Sequence, residues 1–301
     1  MTYPRDLVGY GRQRPDPGWP GRARVALQIV LNYEEGGERS ILHGDRESEA
    51  FLGEVVTMTP LPGVRNLQIE STYEYGTRVG LWRLLRLFAE RDLRVSVFAV
   101  AMALERHPEA ARAIVEAGHE VVSHGWRWID YQFVDETVER EHLARAVESL
   151  TKTTGQRPLG WYTGRLGPNT RRLVVEEGGF LYDADAYNDD LPYWVEVEGR
   201  PHLVVPYTLD TNDMKFASPG GFATGDEWLR YMCDAFDTLY AEGAEHPAMM
   251  SLGLHLRLIG RPGRFRALAR FLDHVARHDG VWICRRVDIA RHWIARHPFR
   301  R

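Results

Sequence analysis

The sequence predicts an α/β protein built as a distorted or incomplete (β/α) barrel. Short apolar runs alternate with amphipathic helical segments about seven times, as in folds made of strand–helix units. Polar residues follow several of the apolar runs directly, and in such a barrel the C-terminal strand ends meet at one face. No internal repeat or interdomain linker interrupts the pattern, so residues 1–301 are expected to form a single domain.

The predicted elements follow from periodicity and from Gly and Pro positions. An arm at 1–22, rich in Gly, Pro and Arg, precedes the first strand, and we expect it to wrap the domain or contact a partner subunit. Strands are expected at 24–32, 94–100, 121–124, 159–161, 180–185, 202–207, 249–254 and 281–284. Helices are expected at 75–88, 108–117, 135–154, 169–175, 226–240, 264–278 and 287–297. A loop is expected through Asp189, Asp190, Pro192 and Trp194.

Residues 38–75 form a long insertion in which we predict no regular structure. Such a stretch inside a compact domain is usually functional, so we expect a lid over a pocket or an interface. His43 lies within it and, by itself, is more typical of an ordinary surface histidine.

Composition excludes several partners. The hydrophobic content of 44% is ample for a core, and a net charge of −4 gives no reason to expect nucleic acid or an anionic membrane as partner. No run approaches the roughly 18 apolar residues of a membrane helix, and the N-terminus lacks the apolar segment of a secretory signal. Cys233 and Cys284 are expected to be reduced core residues. We therefore expect a cytoplasmic protein. A cytoplasmic location disfavours an extracellular or cell-wall polysaccharide as the substrate.

Titratable and polar side chains recur at five predicted strand ends. They are Glu34 with Glu35, His124, Tyr162 with Arg165, Asp183 with Asp185, and His255. A lone histidine at a strand end is often structural, but joint recurrence at one barrel face favours an active site. The set suits amide hydrolysis, in which one group takes a proton from water, donors stabilise the oxyanion and an acid protonates the leaving nitrogen.

The stretch Ser123-His124-Gly125-Trp126-Arg127-Trp128 resembles the second motif of the polysaccharide deacetylase (NodB-like) family. In that family two histidines four residues apart bind a divalent metal, whereas here the second position is Trp128. An indole offers only an N–H donor, so a ligand is lost. The resemblance implies a NodB-type barrel with Glu34 as general base, Glu35 at a former ligand position and His255 as the late catalytic histidine. A catalytic metal is therefore the less favoured alternative, and we expect no cofactor.

Longer motifs resemble the metal-independent allantoinases, a group within that family that serves bacterial uric-acid degradation. They are 3–11 (YPRDLVGYG), 32–39 (NYEEGGER), 123–131 (SHGWRWIDY), 160–165 (GWYTGR) and 210–214 (DTNDM). The resemblance implies hydrolysis of the hydantoin ring of allantoin to allantoate in the cytosol by a homo-oligomer, with a tetramer as the expected state. The implied catalytic residues are Glu34, Glu35, His124 and His255, and the implied substrate-binding residues are Trp128, Tyr162, Arg165, Asp185 and Asn212.

Two expectations concern mechanism and alternatives. Repulsion from Glu35, with burial near Trp126 and Trp128, is expected to raise the pKa of Glu34 toward neutrality, where a general base is most effective. The alternative functions are a metal-dependent deacetylase acting on an N-acetyl sugar or other small amide, and a non-catalytic binding protein that has lost its metal. Retention of Glu34, His124 and His255 argues against the second.

Overall fold

The computed structural model describes residues 5–300 and contains a single curled sheet. Its strands are β1 (Val25–Tyr33), β2 (Ser96–Ala99), β3 (Glu120–Ser123), β4 (Gly160–Trp161), β5 (Tyr182–Asp183), β6 (Tyr193–Val197), β7 (Arg200–Val204), β8 (Ala248–His255) and β9 (Val281–Cys284). The order is β6-β7-β5-β4-β3-β2-β1-β8, and β9 also pairs with β1. All pairings are parallel except that of β6 with β7. The predicted distorted, incomplete (β/α) barrel is confirmed.

Strand β1 pairs with β2, β8 and β9 and is buried along its whole length. Its side chains alternate between two clusters: Leu27 and Leu31 face the outer helices, whereas Ala26 and Val30 face the barrel interior. Strand β8 pairs with β1 over eight residues, and the register sets Asn32 beside His255. Two polar side chains thus meet at the C-terminal edge because the parallel strands end together.

Among the described residues the barrel is not closed, because the edge strands β6 and β8 do not pair with each other. Strands β4 and β5 have two residues each, and irregular chain lies along β8. The amide of Gly253 donates to the carbonyl of Thr211 at 2.9 Å, and the amide of Met249 donates to the carbonyl of Asp190 at 2.9 Å. These loop carbonyls accept hydrogen bonds from β8 amides that a further strand would otherwise pair. The open edge of the sheet at β8 is therefore partly covered by loops.

Helices cover the outside of the sheet. They are α1 (Leu67–Tyr75), α2 (Leu81–Glu90), α3 (Ala101–Glu105), α4 (Pro108–Glu116), α5 (Glu136–Thr154), α6 (Thr170–Glu177), α7 (Gly225–Glu242), α8 (Leu256–Ile259), α9 (Pro262–Val275) and α10 (Arg286–Arg296). The start and end of α5 match their sequence signals, since Asp135 accepts from the amide of Thr137 and Gly155 adopts the left-handed conformation. Within residues 5–300, no helix is both long enough and apolar enough to traverse a lipid bilayer.

Two expectations about irregular chain need correction. The loop expected through Asp189, Asp190, Pro192 and Trp194 is irregular only as far as Pro192, because Tyr193–Val197 forms β6 and folds back on β7 in a hairpin. The insertion at 38–75 ends in α1, whose first turn is capped by Asn66, and a π-helical turn (Gly76–Gly80) joins α1 to α2. Its weakly amphipathic sequence hid this helix, which becomes stable only by burying Ile69 and Tyr73 against the domain.

The described part of the N-terminal arm packs on its own domain. Trp19 is 2% exposed and contacts the rings of Trp282, His292 and Trp293, which belong to β9 and α10. The hydroxyl of Tyr10 donates to the carbonyl of Pro192 at 2.6 Å. Residues 1–4, of which residues 3 and 4 begin the first allantoinase-like motif, lie outside the described residues.

Candidate active site

A small cavity opens at the C-terminal ends of the barrel strands. Its volume is about 140 Å³. The polar groups around it are Asn32, Glu34, His124, Tyr162, Arg165, Tyr187, Tyr207, Asn212 and His255. Phe51, Leu52, Trp128, Leu209 and Met214 supply most of its apolar surface. A cavity of this size suits a small ligand held by a few directed polar groups.

The guanidinium group of Arg257 lies beneath this cavity between two glutamates. One nitrogen donates to Glu34 Oε2 at 2.7 Å, a second donates to Glu35 Oε1 at 3.0 Å, and Nε donates to the carbonyl of Leu52. Arg257 is fully buried, with the ring of Tyr73 4.0 Å from its central carbon. The sequence reasoning missed this residue. A charged side chain inside the apolar run of α8 was the available signal, because a buried arginine requires carboxylate partners.

The expected rise in the pKa of Glu34 was wrong. Burial alone opposes its ionisation, but the charges of Arg257 and His255, with hydrogen bonds from His124 and His255, lower the pKa of Glu34 well below its ordinary value. The expectation counted the repulsion from Glu35 and could not count the arginine that neutralises it. Glu34 is therefore a stable carboxylate at neutral pH.

His255 is held as a cation by two carboxylates. Its Nδ1 donates to Asp213 Oδ1 at 2.6 Å, and its Nε2 lies 3.5 Å from Glu34 Oε1. Burial disfavours the charge, but Glu34 and Asp213 outweigh burial and raise the pKa of His255 to about 9. Asp213 also accepts from the backbone amides of His255 and Ile259. Asp213 follows Asn212 in the motif at 210–214. The sequence did not predict its contact with His255, which lies 42 positions further along the chain.

His124 forms a second contact with Glu34. Its Nε2 lies 3.3 Å from Glu34 Oε1, whereas its Nδ1 is buried without a hydrogen-bond partner in the described protein. If Nε2 carries the proton and donates to Glu34, Nδ1 presents a free lone pair. The ring is fixed between Phe98 and Tyr162, whose centres lie 6.2 and 4.9 Å away. His124 is thus oriented like the base of a carboxylate–histidine pair.

An aromatic wall closes one side of the cavity. Trp128 stacks on Phe51 with their ring centres 6.1 Å apart, and the guanidinium of Arg165 lies 3.9 Å from the Trp128 ring centre. Arg165 in turn donates to Glu49 at 3.2 Å. Phe51 and Glu49 come from the insertion at 38–75, so this segment builds part of the cavity.

Other residues chosen from the sequence fall into two groups. Tyr162 and Asn212 line the cavity. Glu35 and Asp185 do not. Glu35 accepts from Arg257 and from the amide of Glu34, while Asp185 accepts from the amides of Thr163 and Gly164 and so fixes the loop after β4.

Burial raises the pKa of both carboxyl groups outside the cavity. For Glu35, burial and the charge of Glu34 outweigh the opposing effect of Arg257. For Asp185, burial and the charge of Asp183 have the larger effect. Asp183 is held by Arg171 and His202, so it too is occupied by protein groups.

The donor set does not fit the divalent metal that the deacetylase family implies. Trp128 offers no lone pair to a cation, and a guanidinium ion contacts both acidic residues that remain. A zinc site requires several His, Cys, Asp or Glu ligands directed at one point. Arg257 instead supplies a fixed positive charge to the two carboxylates.

Comparisons with known proteins agree with this fold. The model of the family Polysaccharide deacetylase matches residues 65–178. A polysaccharide deacetylase-like protein of Schizosaccharomyces pombe is 44% identical over 320 residues, covering 100% of both chains. The crystal structure of Puue allantoinase superposes with a TM-score of 0.98 at 63% identity over 100% of both chains. That of a Pseudomonas aeruginosa PAO1 protein, described as a probable polysaccharide deacetylase, gives 0.97 at 62% identity over 99% of this chain and 100% of the other.

The curled barrel and its acid, imidazole and guanidinium groups define a hydrolase of the deacetylase class. The chain belongs to the polysaccharide deacetylase family, within which it resembles the NodB-like allantoinases.

Proposed function

We propose that this chain hydrolyses a cyclic amide, opening the hydantoin ring of allantoin to give allantoate, and that it does so without a metal. The similarity along the whole chain to Puue allantoinase carries the choice of substrate. The cavity of about 140 Å³ suits a small uncharged ring better than a polysaccharide chain. Arg257, in contact with Glu34 and Glu35, supports the metal-free form of the proposal.

The chemistry divides among the groups at the cavity. We assign the general base to His124 and not to Glu34, the position that the resemblance implied, because Arg257 and both histidines already contact the Glu34 carboxylate. Water attacks the ring carbonyl while His124 Nδ1 takes its proton, and Glu34 holds the opposite imidazole nitrogen and stabilises the imidazolium that forms. The cationic His255 stabilises the oxyanion and then donates a proton to the leaving nitrogen as the C–N bond breaks. The products are a carboxylate, a ureido N–H and one released proton, so one water is consumed. His124 then loses the proton that it took, and His255 regains one from solvent. Arg257 and Asp213 are positioning residues, because neither lines the cavity.

We also infer that the protein acts in the cytoplasm as a homo-oligomer, with a tetramer as the expected state. Neither nucleic acid nor a membrane is required by this function.

The test is allantoate formation from allantoin by protein treated with a chelator. We expect full activity after treatment and no gain on adding back divalent ions. Glu34→Gln and His124→Ala should each lower kcat at least about 10²-fold, the usual contribution of general acid–base catalysis, while circular dichroism shows both folded. Near-normal turnover in Glu34→Gln would contradict the role given to this carboxylate. Activity on an N-acetyl sugar that is lost with chelator would instead establish the metal-dependent deacetylase.

A further inference from the structure

A cluster outside the active site has the composition of a transition-metal site. Among residues 5–300, Asp237, His274 and His278 place three ligand atoms within 4.8 Å of one another, and no other group of His, Cys, Asp or Glu side chains does so. Asp237 belongs to α7, His274 to the last turn of α9, and His278 lies just beyond that helix. We propose that these three side chains bind a divalent transition-metal ion, with Zn²⁺ as the representative ion.

The separations are close to those a bound ion requires. Asp237 Oδ1 lies 2.7 Å from His274 Nε2 and 3.9 Å from His278 Nε2. Zn²⁺ bonds of about 2.0–2.1 Å at tetrahedral angles place ligand atoms roughly 3.4 Å apart. The two distances lie on either side of that value, and all three ligand atoms lie within 4.8 Å of one another. Three protein ligands leave the fourth position for water.

The imidazole of His278 is already prepared for metal binding. Its Nδ1 lies 3.0 Å from the carbonyl of His274, which fixes the tautomer with the proton on Nδ1 and leaves the Nε2 lone pair free. Its ring packs edge-on against Phe236 and Tyr240, with centres 5.1 and 4.9 Å away. Orientation is thus set before an ion arrives, which reduces the entropy lost on binding.

His274 requires one rearrangement. Its Nε2 now contacts Asp237, while its Nδ1 accepts from Arg277 at 3.0 Å. Metal at Nε2 moves the imidazole proton to Nδ1, so the exposed Arg277 side chain must turn away. Arg277 therefore opposes binding both as a competing donor and as a nearby positive charge.

The cluster is remote from the cavity. Tyr240, which packs against His278, contacts Arg24, the residue before β1, whereas the cavity lies at the C-terminal strand ends. Zinc here would not take part in the proposed hydrolysis. Zinc found in the purified protein would consequently not by itself identify a catalytic metal.

The experiment titrates the chelator-stripped, full-length protein with Zn²⁺ in competition with a chromogenic indicator. We expect one Zn²⁺ per chain. His278→Ala and Asp237→Asn should each lower the association constant at least about 10-fold, since even residues that only support a ligand change metal affinity 10–100-fold. His246→Ala, which removes an exposed histidine outside the cluster, is the matched control and should bind as the wild type does.

Two further measurements complete the test. Arg277→Gln should bind Zn²⁺ more tightly than the wild type, and weaker binding would contradict the arrangement. Allantoin hydrolysis should be equal in the wild type and in His278→Ala, which separates this site from the proposed function. Absence of saturable uptake by the wild type, or equal uptake by all variants, would overturn the proposal.

Discussion

At the scale of single residues, the site is a chain of alternating charges. Each carboxylate in this chain lies next to a cation. The order of contacts is Asp213, His255, Glu34, Arg257 and Glu35. Isolated charges in so buried a place would be neutralised or would destabilise the fold. Alternation keeps Glu34 ionised and His255 protonated at neutral pH, so each group depends on its neighbours.

The first residue-scale prediction concerns Asp213→Asn. The wild-type pKa of His255 is about 9, so activity that needs the imidazolium should fall as the pH rises through about 9. Because Asp213 contributes to that raised pKa, its removal should move the high-pH limb of kcat/KM to lower pH. A pH–rate profile of both proteins measures the shift, and an unchanged limb would contradict the role assigned to Asp213.

The raised pKa of His255 also makes the free energy of unfolding depend on pH. A folded-state pKa above the ordinary value of 6.5 means that protonated His255 stabilises the fold in full below about pH 6.5. That contribution is lost as the pH rises through about 9 and is on the order of 3 kcal/mol. Denaturant unfolding at the two pH values should show a smaller loss in Asp213→Asn than in the wild type. Comparing each protein with itself cancels any pH-independent effect of the substitution.

At the scale of elements, the π-helical turn Gly76–Gly80 sets the distance between helices and the acidic pair. A Cβ at Gly76 would lie 2.5 Å from Glu35 Oε1, and one at Gly80 would lie 2.2 Å from the carbonyl oxygen of Leu256. The two glycines therefore allow this turn to approach Glu35 and the start of α8, which carries Arg257. Such π-helical insertions frequently occur near functional sites.

Gly80→Ala is the element-scale prediction. The new methyl group meets backbone, so α8 must move and carry Arg257 with it. We expect a loss of about 1–3 kcal/mol in the free energy of unfolding and of about 10–10²-fold in kcat. Gly263→Ala in α9 is the control, since its Cβ would meet nothing within 4 Å and should leave kcat unchanged. Equal kcat values for both variants and the wild type would contradict this prediction. They would show that the close contact between Gly80 and Leu256 does not position Arg257 for catalysis.

At the scale of the whole molecule, the insertion at 38–75 has two surfaces. One surface supplies Phe51 and Leu52 to the cavity. Exposed large apolar side chains are also concentrated in this segment, which contains seven of the fifteen in the described chain. They are Leu42, Phe51, Val55, Val56, Leu61, Val64 and Leu67. Concentrated exposed apolar residues are typical of an interface.

We therefore predict that residues 38–75 form part of the subunit interface of the proposed homo-oligomer. Val55→Lys combined with Val56→Lys should lower the mass measured by light scattering at micromolar concentration, because charges would be buried without partners. Phe133→Lys, at an 83% exposed position outside the segment, is the control and should keep the wild-type mass. A wild-type protein that is monomeric would contradict this prediction. Residues 38–75 would then serve only as part of the cavity wall.

The sequence by itself determined the fold class and several of the polar residues that line the cavity. Apolar runs ending in polar residues mark strand ends, and parallel strands bring Glu34, His124, Tyr162 and His255 together. The tertiary structure decided the electrostatics. Arg257 lies 223 residues from Glu34 along the chain, and its contact with Glu34 reverses the expected direction of the Glu34 pKa shift. A pKa depends on every charge within a few ångströms, and periodicity reports which face a residue occupies without reporting which distant charge it meets.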